Sequence, residues 1–266
     1  MQAMSLSERE FAQFQQLIFR IAGISMSPAK KALVAGRLAK RLKHHGLASF
    51  GEYFSMISAR RDELQMAVDL LTTNETRFFR EPRHFDLLRE RILPEHPRGC
   101  PFKAWSAASS SGEEVYTLAM VLAQELGEAP WEVLGSDLST RVLDQARAGM
   151  YRMERAAEIP APYLKASCLK GIGSQKGILL IDPALRRRVR FSQINLVEPL
   201  PSIGEFDVIF LRNVMIYFNV ETKRQVVSRL LTRLRPGGWF FVGHSESLNG
   251  LADELQGVAP AVYRKP

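Results

Sequence analysis

Cysteine is scarce: 266 residues carry two, Cys100 and Cys168, far apart, with no Cys-x-x-Cys spacing and no histidine pair nearby. That scarcity excludes a disulfide framework and offers no zinc ligand set, so both are read as thiols without a structural task and no metal is expected. No stretch approaches the roughly 20 consecutive apolar residues that span a bilayer. The opening "MQAMSLSEREFAQF" turns acidic and amphipathic where a signal peptide would have its apolar core. A cytoplasmic protein without membrane insertion is the expectation. Internal repeats and low-complexity tracts are missing too. So is the G-x-G-x-x-G that accommodates a pyrophosphate, which counts against NAD or FAD. There is no Asn/Asp-Pro-Pro-Tyr/Phe tetrad, and Cys100-Pro101 reverses the Pro-Cys order of cytosine-5 enzymes, so nucleic acid is not expected as substrate.

Hydrophobic residues make up 46% and charged ones 24%, the balance of a folded globular enzyme rather than a disordered tail. Lysine and arginine total 36 against 28 acids, a net +8 that favours an anionic partner without naming it. The excess is concentrated in "PAKKALVAGRLAKRLKHHG" at 28–46.

The chain has two textures. Residues 1–75 carry only helical signals: a capping box from Ser7 and Glu10, an N-cap with first-turn proline at Ser27-Pro28, and a second box from Ser49 and Glu52. From about residue 100 strand-like and helical runs alternate: "FKAWSA", then 113–126 helical, "WEVLGSD", 139–149 helical, "FDVIFLRN", 220–235 helical, "GGWFFVGH". Such alternation predicts a parallel sheet covered by helices on both faces over 76–266. The glycine-broken region 151–192 interrupts the rhythm and is read as a small β-hairpin-containing insertion.

In an open parallel sheet a ligand sits outside the carboxyl ends of the strands. Four polar elements fall there. The small-residue turn "SAASSSGEE" follows the first strand and holds Gly112 and Glu114. Asp137 follows the second, where one carboxylate can accept from both hydroxyls of a ribose or, with Ser139, open a helix. Asn195-Leu196 follows the third, fitting an adenine edge and face, or simply a turn. Arg212-Asn213 ends the fourth. Four such coincidences favour a nucleoside site over a series of caps.

Five segments carry a resemblance: "TTNETRFFREPRHF" (72–85), "WSAASSSGEEVY" (105–116), "SDLSTRVLDQARAGMY" (136–151), "FLRNVMIYFN" (210–219) and "GGWFFVGHSESL" (237–248). In order and spacing the chain resembles the chemotaxis-receptor glutamate methyltransferases, the CheR family. The resemblance implies a Rossmann-like S-adenosylmethionine-dependent α/β domain, preceded by a small all-helical domain and carrying a β subdomain. It implies methyl transfer from S-adenosylmethionine to receptor glutamates, leaving S-adenosylhomocysteine. Carried over by position, the cofactor contacts are Asn74, Thr76, Arg80, Glu114, Asp137, Asn195, Leu196, Arg212 and Asn213, with Arg80 and Tyr217 nearest the methyl group. The partners implied are the cytoplasmic helical bundle of chemoreceptors and, in some members, a receptor C-terminal peptide held by the β insertion. A non-catalytic receptor-binding adaptor and a nucleic-acid methyltransferase are the competing readings. On a helical wheel over 28–45, Leu38 and Leu42 share one face, while Lys30, Arg37, Lys40, Arg41 and Lys43 spread over the rest. Arg37, Lys40 and Arg41 are therefore expected to face out and dock on the receptor's acidic side.

Overall fold

Ser7 opens the first helix. Its hydroxyl accepts from the Glu10 amide while the Glu10 carboxylate accepts from the Ser7 backbone N–H at 2.9 Å, satisfying two orphan donors reciprocally. The computed structural model describes residues 5–266 and divides the chain into two units. The first runs to Thr73 and adds Tyr217–Lys223; the second holds Asn74–Ile216 and Arg224–Pro266.

The first unit is helical: α1 (Glu8–Ala22), α2 (Lys31–His45), α3 (Phe50–Ala59) and α4 (Arg61–Leu71). Its interior is closed by Phe14, Ile18, Leu38, Leu42 and Tyr53, all fully buried. The two later caps are weaker than the sequence suggests. Ser27 precedes a 3-10 turn, Pro28–Lys30, without a side-chain cap bond. Ser49 accepts from the Glu52 amide, but the Glu52 carboxylate takes the amide of Ala48 instead of closing the box.

Along α2 the leucines point inward as expected, but two of the three expected docking cations do not face out. Arg41 makes a forked contact with Glu63, Nε at 2.7 Å and Nη2 at 2.5 Å, and the Tyr53 hydroxyl donates to the same carboxylate at 2.8 Å. Arg37 donates to the carbonyls of Thr72 (2.9 Å) and Leu71 (3.3 Å), supplying donors to the open C-terminal end of α4. Lys40 is exposed, together with Lys30 and Lys43. The physical reason is the partners: the buried Glu63 carboxylate draws Arg41, and the carbonyls at the C-terminal end of α4 draw Arg37.

The second unit is built on a seven-stranded sheet. In chain order its elements are α5 (Arg83–Leu87) and α6 (Leu93–Glu95), joined by one π turn, then β1 (Phe102–Ser106), α7 (Glu113–Leu126), β2 (Trp131–Asp137) and α8 (Thr140–Ala148). There follow β3 (Met150–Arg152), α9 (Ala161–Ser167), β4 (Cys168–Lys170), β5 (Ile178–Ile181), α10 (Pro183–Arg186), β6 (Val189–Gln193), β7 (Phe206–Leu211), α11 (Val220–Leu231), β8 (Leu234–Val242), β9 (Gln256–Ala259) and β10 (Val262–Arg264). Helix α11 starts in the first unit and ends in the second. The sheet order is β6-β2-β1-β7-β8-β10-β9. The first five strands run parallel, and β10 and β9 close the edge antiparallel.

Strands β2 and β7 flank β1, so the order reverses between β1 and β7 and the ligand crevice of such a sheet opens at their carboxyl ends. Apolar packing fixes this centre: Phe210 of β7 stacks on Phe241 of β8 at 4.4 Å and 5°, and Val115, Leu118 and Leu122 of α7 are fully buried.

Within the predicted insertion the structure shows a separate antiparallel sheet, β3-β5-β4. The boundary differs, because β6 pairs in parallel with β2 in the main sheet. As an edge strand it is only partly buried, and "RRRVRFSQ" accordingly lacks the apolar run of an inner strand. Among the described residues no helix is long and apolar enough to cross a membrane.

Burial works to raise the Glu63 carboxyl, but hydrogen bonds from Arg41, Tyr53 and His45 hold it at about 2, below its ordinary 4.5. A folded-state value below the unfolded one makes its stabilisation complete above about pH 4.5 and progressively lost as pH falls toward 2. Replacing Arg41 by alanine strips this buried carboxylate of its partner and should destabilise the helical unit by about 3 kcal/mol. Hydrogen exchange of α2–α4 amides in the full chain reads this; parental protection would show that the pair contributes nothing.

Candidate active site

The β1–α7 turn is shaped by one glycine. Gly112 has φ +95°, and a Cβ there would meet Ala146 Cβ at 2.8 Å and the Tyr151 hydroxyl at 3.0 Å. The turn therefore lies flat on α8, and Tyr151 donates to the Ser111 carbonyl at 2.7 Å. Ser110, at φ +48°, donates its amide to Asp137 Oδ2 (2.9 Å) and its hydroxyl to the Asn74 carbonyl (2.9 Å). Three expected cofactor positions or their supports thus meet: the turn, the end of β2, and the segment opening the second unit. Thr76, two residues after Asn74, is half-buried.

Asp137 and the cap are separate functions here. Ser139 is the N-cap of α8, while Asp137 Oδ1 accepts from the Ser139 amide at 2.9 Å and Oδ2 faces the turn. Asn195 closes a turn after β6, its amide group donating to Glu198 at 3.0 Å and its oxygen accepting from Val197 at 3.3 Å, and Leu196 beside it is buried. The Ile194 amide donates to the Asp137 carbonyl at 3.1 Å, holding this turn against the end of β2.

At the end of β7 stands Arg212, with 1% of its side chain exposed. Nη1 donates to Glu114 Oε2 at 2.7 Å; Nη2 donates to the Arg80 carbonyl at 2.6 Å and to Glu81 Oε2 at 2.9 Å. Glu114 also accepts from Ser106, the last residue of β1, at 2.8 Å. The guanidinium is thus held by acids from two segments and joins β7, α7 and the run Phe78–Pro82. Burial works to raise the Glu81 carboxyl, yet Arg212 first, then Asn213 and the His244 amide, hold it at about 2, so it is ionised at neutral pH. Arg80 itself is half-buried, its Nη1 donating to the Glu75 carbonyl at 3.0 Å.

Asn213 is left-handed at φ +57° and donates to Glu81 Oε1 at 3.3 Å. Its backbone amide is taken by Glu246 Oε2 at 2.8 Å, which also accepts from Gly243 at 2.7 Å, while Oε1 accepts from Ile216 at 3.2 Å. A Cβ at Gly243 would come within 2.4 Å of the Asn213 side-chain nitrogen and 2.8 Å of Glu246 Oε2, so glycine there leaves both side chains room to keep these bonds. Tyr217, the other expected catalytic residue, falls in the first unit, where its carbonyl accepts from the Ser25 amide at 2.7 Å.

Glu81, Glu246, His84 and His244 were not singled out from the sequence. All lie in segments that carry the resemblance, but Glu81 and the His244 amide that it accepts from are 163 positions apart, and no local pattern shows their meeting.

Carboxylates gathered round one buried arginine, a small-residue turn and an acid at the carboxyl end of β2 mark the switch point of a Rossmann-like domain. A model of the CheR methyltransferase SAM-binding domain matches residues 74–263, and one of the CheR methyltransferase all-alpha domain matches 9–72. Chemotaxis protein methyltransferase 2 of Pseudomonas aeruginosa is 42% identical over 260 residues, covering 97% of this chain and 93% of that protein. The chemotaxis protein methyltransferases of Salmonella typhimurium and Escherichia coli are each 39% identical, covering 98% and 93% of this chain and 92% and 87% of theirs. The chain belongs to the CheR methyltransferase family, and its second unit is an S-adenosylmethionine-dependent methyltransferase domain.

Glu246→Gln replaces one carboxylate oxygen by an NH2 donor, which faces and releases at least one of the three amides, at a cost of about 1.5–3 kcal/mol. The measurable outcome is a lower urea midpoint with faster exchange of the Asn213, Ile216 and Gly243 amides. Unchanged exchange at these three positions would remove Glu246 as the clamp of the loop.

Proposed function

We propose that this protein transfers the methyl group of S-adenosylmethionine to glutamate side chains of chemoreceptors, giving methyl esters. The observation that carries the reading is the cluster Ser110–Asp137 and Glu114–Arg212–Glu81 at the strand-order switch, in a chain matched almost end to end by proteins named chemotaxis protein methyltransferases.

The residues fit the cofactor. Asp137 suits ribose hydroxyls, Asn195 and Leu196 the adenine, and the acids about Arg212 the charged amino-acid end. Asn74, Thr76 and Asn213 complete the cradle. S-adenosylmethionine, when bound, supplies a methyl group on a positively charged sulfur. A glutamate acceptor with a pKa of about 4.3 is already ionised at neutral pH, so the chain need provide no general base. Its task is to align the carboxylate and exclude water. Arg80 is assigned the orienting contact, since a guanidinium can hold a carboxylate through two parallel bonds. Tyr217 is assigned to the methyl's surroundings.

Labelled methyl transfer to receptor-containing membranes tests the reading: base-labile label is expected. Binding of S-adenosylhomocysteine with no transfer would favour the adaptor. Asp137→Ala should weaken S-adenosylhomocysteine binding by about 1.5–3 kcal/mol in calorimetry, and parental affinity would remove Asp137 from the cofactor site. Arg80→Ala and Tyr217→Phe should lower turnover more than cofactor affinity; equal losses would make them binding residues only.

Receptor docking is assigned to Lys40, with Lys30 and Lys43, because Arg37 and Arg41 are held inside the helical unit. A β4–β5 grip on a receptor C-terminal peptide is compatible with the exposed Leu169 and Ile172 of that hairpin. Reversing Lys40 and Lys43 to glutamate should slow receptor methylation severalfold and flatten its salt dependence, leaving S-adenosylhomocysteine affinity unchanged. Undiminished methylation at low ionic strength would sink the docking role.

A further inference from the structure

His84 is 2% exposed, and neither of its ring nitrogens has a hydrogen-bond partner. Buried polar atoms are ordinarily satisfied, so a fully orphaned imidazole calls for a ligand or a reason. Its Nδ1 stands 3.6 Å from Glu81 Oε2, too far for a hydrogen bond. His244, reaching in from the loop after β8, brings Nε2 to 3.8 Å from the same oxygen, and the two imidazoles meet edge to face at 4.8 Å. One donor atom from each of the three side chains lies within 4.8 Å of the others.

We propose that Glu81, His84 and His244 form a binding site for a divalent metal ion of the zinc type, held by two imidazole nitrogens and one carboxylate oxygen. Two histidines and a glutamate are a donor set that zinc accepts, with a fourth position left for water. The nitrogen donors argue against magnesium and calcium, which take oxygen. Ligand bonds of about 2.0–2.2 Å put tetrahedral donors roughly 3.3 Å apart, so the three atoms must close by no more than about 1.5 Å. Both rings are free to do so: His84 has no hydrogen bond to give up, and the His244 side chain is about half exposed, which also supplies an entry path.

Protonation does not compete for the buried ligand. Burial first, then the nearby Arg212 charge, push His84 down to about 3, leaving it neutral at physiological pH. Arg212 is the cation that a metal must tolerate, with Nη2 at 2.9 Å from Glu81 Oε2. The hydrogen-bonded network nevertheless contains three carboxylates, Glu81, Glu114 and Glu246, against that one guanidinium. A dication offsets the excess, and Arg212 keeps Glu114 and the Arg80 carbonyl when Glu81 turns to the metal.

A regulatory consequence rests on the proposed cofactor site. Drawing Glu81 from Arg212 and Asn213 loosens two assigned cofactor contacts, so metal and cofactor should oppose each other, each weakening the other by the same factor.

Cobalt titration of the full-length chain, read by its visible ligand-field absorption and competed with zinc, tests the site without reference to activity. One equivalent in a tetrahedral environment is expected. His84→Ala and His244→Ala should each weaken it at least as much as the roughly 10- to 100-fold that loss of a mere outer partner costs. If His84→Ala fails to fold, the half-exposed His244→Ala decides. A parent without such a band, or parent and His244→Ala titrating alike, overturns the site. S-adenosylhomocysteine calorimetry with and without zinc tests the consequence separately: unchanged affinity overturns the antagonism while the metal titration stands, and failure to bind S-adenosylhomocysteine at all counts against the cofactor reading alone.

Discussion

A guanidinium sealed from water costs several kcal/mol in desolvation, and only close, well-aligned anions offset it. Arg212 meets that demand with Glu114, Glu81 and the Arg80 carbonyl. The partners come from different parts of the chain: the first turn of α7, and the run before α5. A bare strand end would leave these three segments free of one another. The buried charge makes them interdependent, since moving either acid-bearing segment strips the guanidinium of a partner in a low-dielectric interior. This is why a cation stands where β7 should simply be ending.

The same acids hold backbone that would otherwise relax. Among the described residues five non-glycine positions have positive φ, and four of them, Phe79, Glu81, Ser110 and Asn213, lie in the segments gathered at the strand ends. Each such residue costs of order 1–3 kcal/mol and persists only where its surroundings over-determine it. Here the surroundings are identifiable: Asp137 and Asn74 fix Ser110, Glu246 and Glu81 fix Asn213, and Arg212 fixes Glu81. Strain and charge are therefore coupled. Asp137, which the sequence offers as a ligand contact, also holds the Ser110 turn, while Glu81 and Glu246, which it does not, hold the loop at Asn213.

That double use explains what the sequence showed and what it hid. Strand β2 and helix α7 occupy the residues read from pattern alone, because their periodicity is long and their caps sit outside it. The four polar strand ends were visible for the same reason: in a parallel sheet, position along the strand predicts position at the crevice. The end of β6 was seen but most of the strand was read as part of the insertion, since a half-buried edge strand rich in arginine carries no inner-strand signature. Glu81 and His244 were hidden by distance in sequence, and the expected caps show that a capping pattern does not fix the bonds made: the Ser27 side chain caps no amide and Glu52 takes that of Ala48.

Arg37 and Arg41 show a different limit. A helical wheel gives the direction of a Cβ, but these side chains are long enough to leave that direction, and a buried acid such as Glu63 decides where the charge ends up. What remains on the surface of α2 and the turn before it is lysine: Lys30, Lys40 and Lys43. An ammonium on a flexible stem is a hydrated point charge, unable to form the rigid fork that arginine makes with a carboxylate. A surface of that kind gathers an acidic partner by long-range attraction without fixing its pose. On the proposed reading, discrimination among acceptor glutamates falls to the strand ends, where Arg80, beside the clamped Glu81, is half-buried with its Nη1 on the Glu75 carbonyl.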